Sequence, residues 1–221
     1  MIVQSMTSNE IHKEVFEDLK TLKNTIDNLQ NDFKRIVLKN NIYPLTKSFE
    51  CKTREKKNLF VIEFTALKRS AWKKPIITIY GIYTLPEGKY AVAPSLDLNL
   101  ISIYTPHFFK RYRGRIVKDE SMSNEDIIKH YFRNDWGLML AMVNENYESV
   151  YLDFEVRDKN TKISFVGATS LGYCFGEKQG KANVIKTIIS EDMLFENQKK
   201  IFKVLREEFQ DNNKNRYGAT V

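Results

Sequence analysis

Leu59-Phe60-Val61-Ile62-Glu63-Phe64 and, a short stretch later, Ile76-Ile77-Thr78-Ile79-Tyr80-Gly81-Ile82-Tyr83 decide the fold class. Both runs are dense in β-branched and aromatic residues, which suit a pleated, half-buried surface better than a helix. Pro86-Glu87-Gly88-Lys89 supplies turn residues, Tyr90-Ala91-Val92-Ala93 follows as strand, and Leu98–Tyr104 reads as a further one. Connections this short join antiparallel strands, because a parallel return needs a long crossover.

Working outward toward the N-terminus, residues 8–39 read as one long amphipathic helix. Ile11, Val15, Leu19, Leu22, Ile26, Leu29, Phe33 and Ile36 recur in steps of three and four, close to a heptad seam. Thr7 with Glu10 forms a capping box at its start, and Tyr43-Pro44 closes the segment. The stripe needs an apolar partner, either the domain behind it or a second copy paired as a homodimer through residues 8–39. Toward the C-terminus, Thr105-Pro106 opens a helix, with Thr as N-cap and Pro at the first helical position. Ser123 with Asp126 opens another, and residues 137–147 are expected as a third. Strands are expected to return at 150–156, 162–166, 171–175 and 184–189. A last helix is expected from Ser190 into Phe209. Strands before and after a helical middle give an α+β fold: a long N-terminal helix, then a mostly antiparallel sheet packed with several helices. The expected organisation is a helical arm over 1–42, an α+β domain over 43–210 and a polar tail over 211–221.

The 221 residues carry a net charge of +7 and two cysteines, Cys51 and Cys174, too far apart for a metal or redox motif. Both read as buried thiols in a reducing, cytoplasmic setting. No basic leader with an apolar core and no apolar run of membrane length stands in the chain, so no membrane partner is expected. The positive charge is local. Phe64–Pro86 contains Lys68, Arg69, Lys73 and Lys74 and no acid, and Thr105–Lys118 contains Lys110, Arg111, Arg113, Arg115 and Lys118 and again no acid. Concentrated positive charge attracts polyanions, so RNA or DNA is the expected partner, with Lys68, Arg69, Lys73, Lys74, Lys110 and Arg113 as phosphate contacts. Trp72 is a candidate to stack on a base, against the plainer role of core residue.

Thr105-Pro106-His107-Phe108-Phe109-Lys110-Arg111-Tyr112-Arg113-Gly114-Arg115 is the stretch richest in chemistry. His107 and Arg111, four apart, share a helix face. An imidazole beside guanidinium groups can move a proton while the arginines hold a phosphate bidentately. Near the C-terminus, Lys186-Thr187-Ile188-Ile189-Ser190 sets hydroxyls at a strand-to-helix junction. No Walker A loop, dinucleotide fingerprint, metal-binding histidine pair or hydrolase signature is present, and no cofactor is expected.

The His-x-x-x-Arg-x-Arg-x-Arg pattern at 107–115, with later strands and Lys186-Thr187 near the end, resembles the barnase–EndoU–RelE-like superfamily of metal-independent ribonucleases, many of them toxins or phage and mobile-element proteins. The resemblance implies that His107 acts as base or acid, that Arg111 and Arg115 hold the scissile phosphate, and that Thr187 or Ser190 is the late hydroxyl. The long N-terminal helix and the strands before His107 depart from that pattern. Two other readings stand beside the ribonuclease: a nucleic-acid-binding module without turnover, and an assembly protein dimerising through its first helix.

Overall fold

The computed structural model describes residues 2–135, 137–155 and 163–217. The chain is α+β and divides into two compact units, Met1–Ile103 with Gly180–Ala182, and Tyr104–Gln179 with Asn183–Val221. Among the described residues no helix is long and apolar enough to cross a membrane.

In the first unit α1 (Ser8–Lys39) begins with the expected capping box: Thr7 Oγ1 accepts from the Glu10 amide at 3.3 Å, and Glu10 accepts from the Thr7 amide at 2.7 Å. Its last carbonyls are met by side chains. Asn40 Nδ2 donates to Ile36 O at 2.8 Å, and the Tyr43 hydroxyl donates to Val37 O at 2.8 Å. Strands β1 (Leu45–Lys52), β2 (Leu59–Ala66), β3 (Ile76–Leu85), β4 (Gly88–Ser95) and β5 (Leu100–Tyr104) follow in that spatial order, and the first four pair antiparallel. β1 was not expected. Lys47, Glu50 and Lys52 break its apolar pattern, which is what an edge strand needs to resist pairing with another chain. The apolar stripe of α1 finds its partner here: Phe33 and Val37 bury against Ile62, Phe64 and Ala66, with the Phe33 and Phe64 rings stacked at 5.5 Å.

A buried polar lock ties the β1–β2 connection to α1. Asn58 Nδ2 donates to Glu14 Oε1 at 3.0 Å and to Asp18 Oδ2 at 2.7 Å, while Asn58 Oδ1 accepts from the Ile2 amide at 3.0 Å. Replacing Asn58 by Ala takes away the acceptor of the Ile2 amide and one donor each from Glu14 and Asp18, which keep their bonds from Lys56 and Thr53. A loss of about 2 kcal/mol is expected in urea unfolding.

The second unit contains α2 (Pro106–Tyr112), a π-helical turn (Arg113–Val117), α3 (Asn124–Asn134), β6 (Leu138–Met142), α4 (Glu145–Phe154), β7 (Phe165–Thr169), β8 (Gly172–Gln179), β9 (Ala182–Ile189), a 3₁₀ turn (Glu191–Met193) and α5 (Glu196–Tyr217). Its strands lie in the order β9-β8-β7-β6, and β6, β7 and β8 pair antiparallel. β8 closes on its neighbour through Gly176, where any Cβ would collide with the Val184 carbonyl. Val150, Tyr151, Phe175, Phe202, Leu205 and Phe209 form one core. Tyr104, Phe108, Tyr131 and Phe132 form an aromatic cluster with ring centroids 5.0 to 5.2 Å apart.

Four expectations are corrected. Residues 138–142 are a strand where a helix was read, and 145–154 are a helix where a strand was read from 150. Val156 and Lys162, ends of two expected strands, lie outside the described residues. The last helix starts at Glu196 and not at Ser190, because 191–193 complete a separate 3₁₀ turn first. It runs on to Tyr217, through most of the expected tail, and buries Asn213; residues 218–221 lie outside the described residues.

Asp135 closes α3 and is buried, with Oδ1 accepting the Ser170 amide at 2.9 Å. Burial raises its carboxyl to about 7, against the opposing hydrogen bonds it receives. The folded chain therefore keeps this proton between about pH 4 and 7, where an unfolded carboxyl has released it, and stability falls as pH rises through that window. Asp135→Asn keeps an oxygen for Ser170 and removes the ionisation. It should unfold at the same urea concentration as the parent near pH 4, and be more stable by up to about 4 kcal/mol at pH 8.

Candidate functional site

Thr105 sets the position of α2. Its Oγ1 accepts the Phe108 amide at 3.2 Å, and its own amide donates to Ile185 O on β9 at 3.2 Å, so the helix starts against the strand that carries Thr187. Phe108, Phe109 and Tyr112 are buried, and Tyr112 bonds His130 Nδ1 at 2.8 Å through its hydroxyl. That face fixes the helix rotation and leaves His107 and Arg111 on another. A regular α-helix advances 100° per residue, so positions four apart drift sideways by ~40°. The wider π turn at 113–117 turns less per residue, which lessens that drift between Arg111 and Arg115.

These side chains converge on Glu155, which ends α4 in extended backbone. His107 Nε2 lies 3.2 Å from Oε2, and Arg111 Nη2 donates to the same oxygen at 2.9 Å. Arg115 Nη1 stands 3.0 Å from Oε1, and the Thr187 hydroxyl donates to Oε1 at 2.5 Å. Arg115 also donates to Thr187 Oγ1 at 3.2 Å, Ile188 O at 2.8 Å and Phe154 O at 2.9 Å. It thereby clamps the end of β9 to the end of α4. Burial alone would raise the Glu155 carboxyl; the bonds from His107 and Thr187 and the charges of Arg115 and Arg111 outweigh it and bring it down to about 2. Glu155 is therefore an anion throughout the physiological range.

The cluster has an inside and an outside. The side chains of Glu155 and Arg115 are 7% and 11% exposed, those of Arg111 and His107 32% and 50%. Nε2 of His107 meets two partners: Glu155 Oε2 at 3.2 Å, which calls for a hydrogen on Nε2, and Arg111 Nε, which donates to it at 3.3 Å and calls for a lone pair there. In the tautomer with the hydrogen on Nε2, the basic lone pair is on Nδ1.

Of the residues expected to act together, His107, Arg111, Arg115 and Thr187 share this network. Ser190 does not join it: it is buried at the start of the 3₁₀ turn and makes no side-chain cap bond. Lys110 is exposed on α2. Arg113 donates to Asn124 Oδ1 at 2.8 Å and joins the π turn to the start of α3. Lys68, Arg69, Lys73 and Lys74 belong to the first unit, all exposed around a 3₁₀ turn, Arg69–Lys73. Arg69 donates to Leu38 O at 3.0 Å. Trp72 is half-buried against α1 with the Lys34 ammonium 4.3 Å above its ring, so the plainer role of packing is the one the structure gives it. Cys174 is buried and Cys51 half-buried, and burial raises both thiols. Among the described residues no three His, Cys, Asp or Glu side chains gather as metal ligands.

Glu155 escaped sequence reasoning. Its only trace is a position one past a helical spacing of apolar residues, Tyr147, Val150, Tyr151 and Phe154. Comparison with protein-family models, curated proteins and solved structures returns no match for this chain.

Proposed function

We propose that this protein is an endoribonuclease that cleaves RNA by transesterification at the His107–Arg111 face. The observation that carries the reading is a half-exposed imidazole whose Nε2 is tied to a buried carboxylate, beside a guanidinium that also reaches solvent. A carboxylate that fixes the tautomer leaves the other ring nitrogen free to take a proton. His107 Nδ1 takes the proton of a ribose 2′-hydroxyl, and the 2′-oxygen forms a bond to the adjacent phosphorus. The bond from phosphorus to the 5′-oxygen breaks, that oxygen takes a proton from water, and His107 returns its proton to solvent. Arg111 faces the phosphate oxygens on which charge builds, where a fixed donor helps most. Glu155, Arg115 and Thr187 are positioning residues.

This reading demands RNA, since the nucleophile is the 2′-hydroxyl. Single-stranded RNA should yield 2′,3′-cyclic phosphate and 5′-hydroxyl ends, and a strand with a 2′-deoxyribose at the scissile position should resist. Products ending in 3′-hydroxyl, or equal cleavage of DNA, contradict it. The exposed Lys68, Arg69, Lys73 and Lys74 favour a second reading, a nucleic-acid-binding module without turnover, recognised by salt-sensitive binding of uncleaved RNA. Dimerisation through residues 8–39 draws less support, because Ile11, Val15, Leu19, Leu22 and Phe33 of the seam are buried within the chain itself.

A further inference from the structure

Glu155 does more to the cradle than orient a ring. Two arginines meet one carboxylate, so with a neutral imidazole the group carries a single net positive charge. Arg115 is spent inward on Glu155, Thr187, Ile188 O and Phe154 O. Within this cluster it is Arg111 and His107 whose side chains a ligand can reach. Both of these already bond the same carboxylate oxygen, Oε2, so any anion held on their outer edge lies a few ångströms from a buried negative charge. One ligand charge is compensated there by Arg111. A second meets the charge of Glu155, whose side chain is only 7% exposed, and like charges repel more strongly where water is thinned out.

We propose that Glu155 is a charge-selectivity residue: the cradle accepts a singly charged phosphodiester and discriminates against a doubly charged terminal phosphate. The inference rests on the reading of this face as a phosphate site. It predicts that internal linkages of a chain are taken over phosphorylated ends, and that nucleoside 3′-monophosphates are poor inhibitors.

The test is binding at pH 8, where a phosphomonoester carries close to two charges and a cyclic phosphodiester carries one. Calorimetric titration of the full chain with a uridine 2′,3′-cyclic monophosphate and with uridine 3′-monophosphate should show the cyclic ligand bound at least as tightly. Glu155→Gln removes the opposing charge and should shift the ratio about tenfold toward the 3′-monophosphate. Far-UV circular dichroism establishes that the variant is folded; should it not be, the ratio in the parent protein still decides. A parent that prefers the doubly charged ligand tenfold, or a folded Glu155→Gln with an unchanged ratio, overturns the proposal while leaving the ribonuclease reading standing. Binding of neither ligand overturns both.

Discussion

Alanine in place of His107 is expected to lower RNA cleavage by roughly 10²- to 10⁴-fold, the usual contribution of a positioned general base, with little change in stability. The side chain is half exposed, and its loss leaves Glu155 still bonded to Arg111, Arg115 and Thr187. Single-turnover cleavage and urea unfolding, measured on the same preparation, separate the two effects. A large fall in rate with an unchanged unfolding midpoint is the expected pair of results. A matching fall in stability would make His107 a structural residue whose loss disturbs the site indirectly.

Alanine in place of Glu155 should behave in the opposite way, with an unfolding free energy lower by about 3 kcal/mol. The cost comes from Arg115, which stays buried and charged after its counter-ion is gone. Arg115 joins α4, β9 and the π turn, so the loss should appear as earlier opening of these elements in hydrogen exchange. A double variant, Arg115→Met with Glu155→Leu, removes both charges and should recover most of the loss, because a buried ion pair is worth little against apolar residues of similar size. The acid limb gives an independent check. The Glu155 carboxyl sits at about 2 in the folded chain, below its ordinary value. Its contribution is fully present above about pH 4.5 and is lost as pH falls toward 2. The Glu155→Leu, Arg115→Met chain should lack that part of the acid dependence.

Much of the architecture follows from local chemistry that a reader of the sequence can apply. The seam and capping box of α1, the β-branched runs of β2 and β3, and the Thr105-Pro106 start of α2 each point one way, and the structure obeys them. The errors cluster where local preference and tertiary pairing disagree. Leu138-Met139-Leu140-Ala141-Met142 is composed of helix formers, yet it pairs antiparallel with Phe165–Thr169, and that pairing outweighs propensity. In the next segment, Leu152-Asp153-Phe154-Glu155-Val156 alternates apolar and polar residues like a strand. The Asn144 cap and the 147, 150, 151, 154 spacing are the stronger signal, and both belong to a helix.

The site was legible to the extent that it lies on one helix face. His107 and Arg111 are four apart, and their proximity needs no tertiary knowledge. Arg115 reaches the same carboxylate from the π turn at 113–117, and nothing in Arg113-Gly114-Arg115-Ile116-Val117 announces that turn. Glu155 and Thr187 arrive from segments 32 residues apart in sequence. A lone acid at the end of an apolar helix carries no local mark of its role, so a carboxylate at the centre of the network could be found only by folding the chain.

The most direct measurement incubates total RNA with the purified protein in EDTA, beside a His107→Ala/Arg111→Ala double variant shown to be folded, and resolves the products on a denaturing gel. Cleavage by the parent and none by the variant is the predicted result. Intact RNA in both lanes, or equal cleavage by both, would contradict a ribonuclease centred on the His107–Arg111 face.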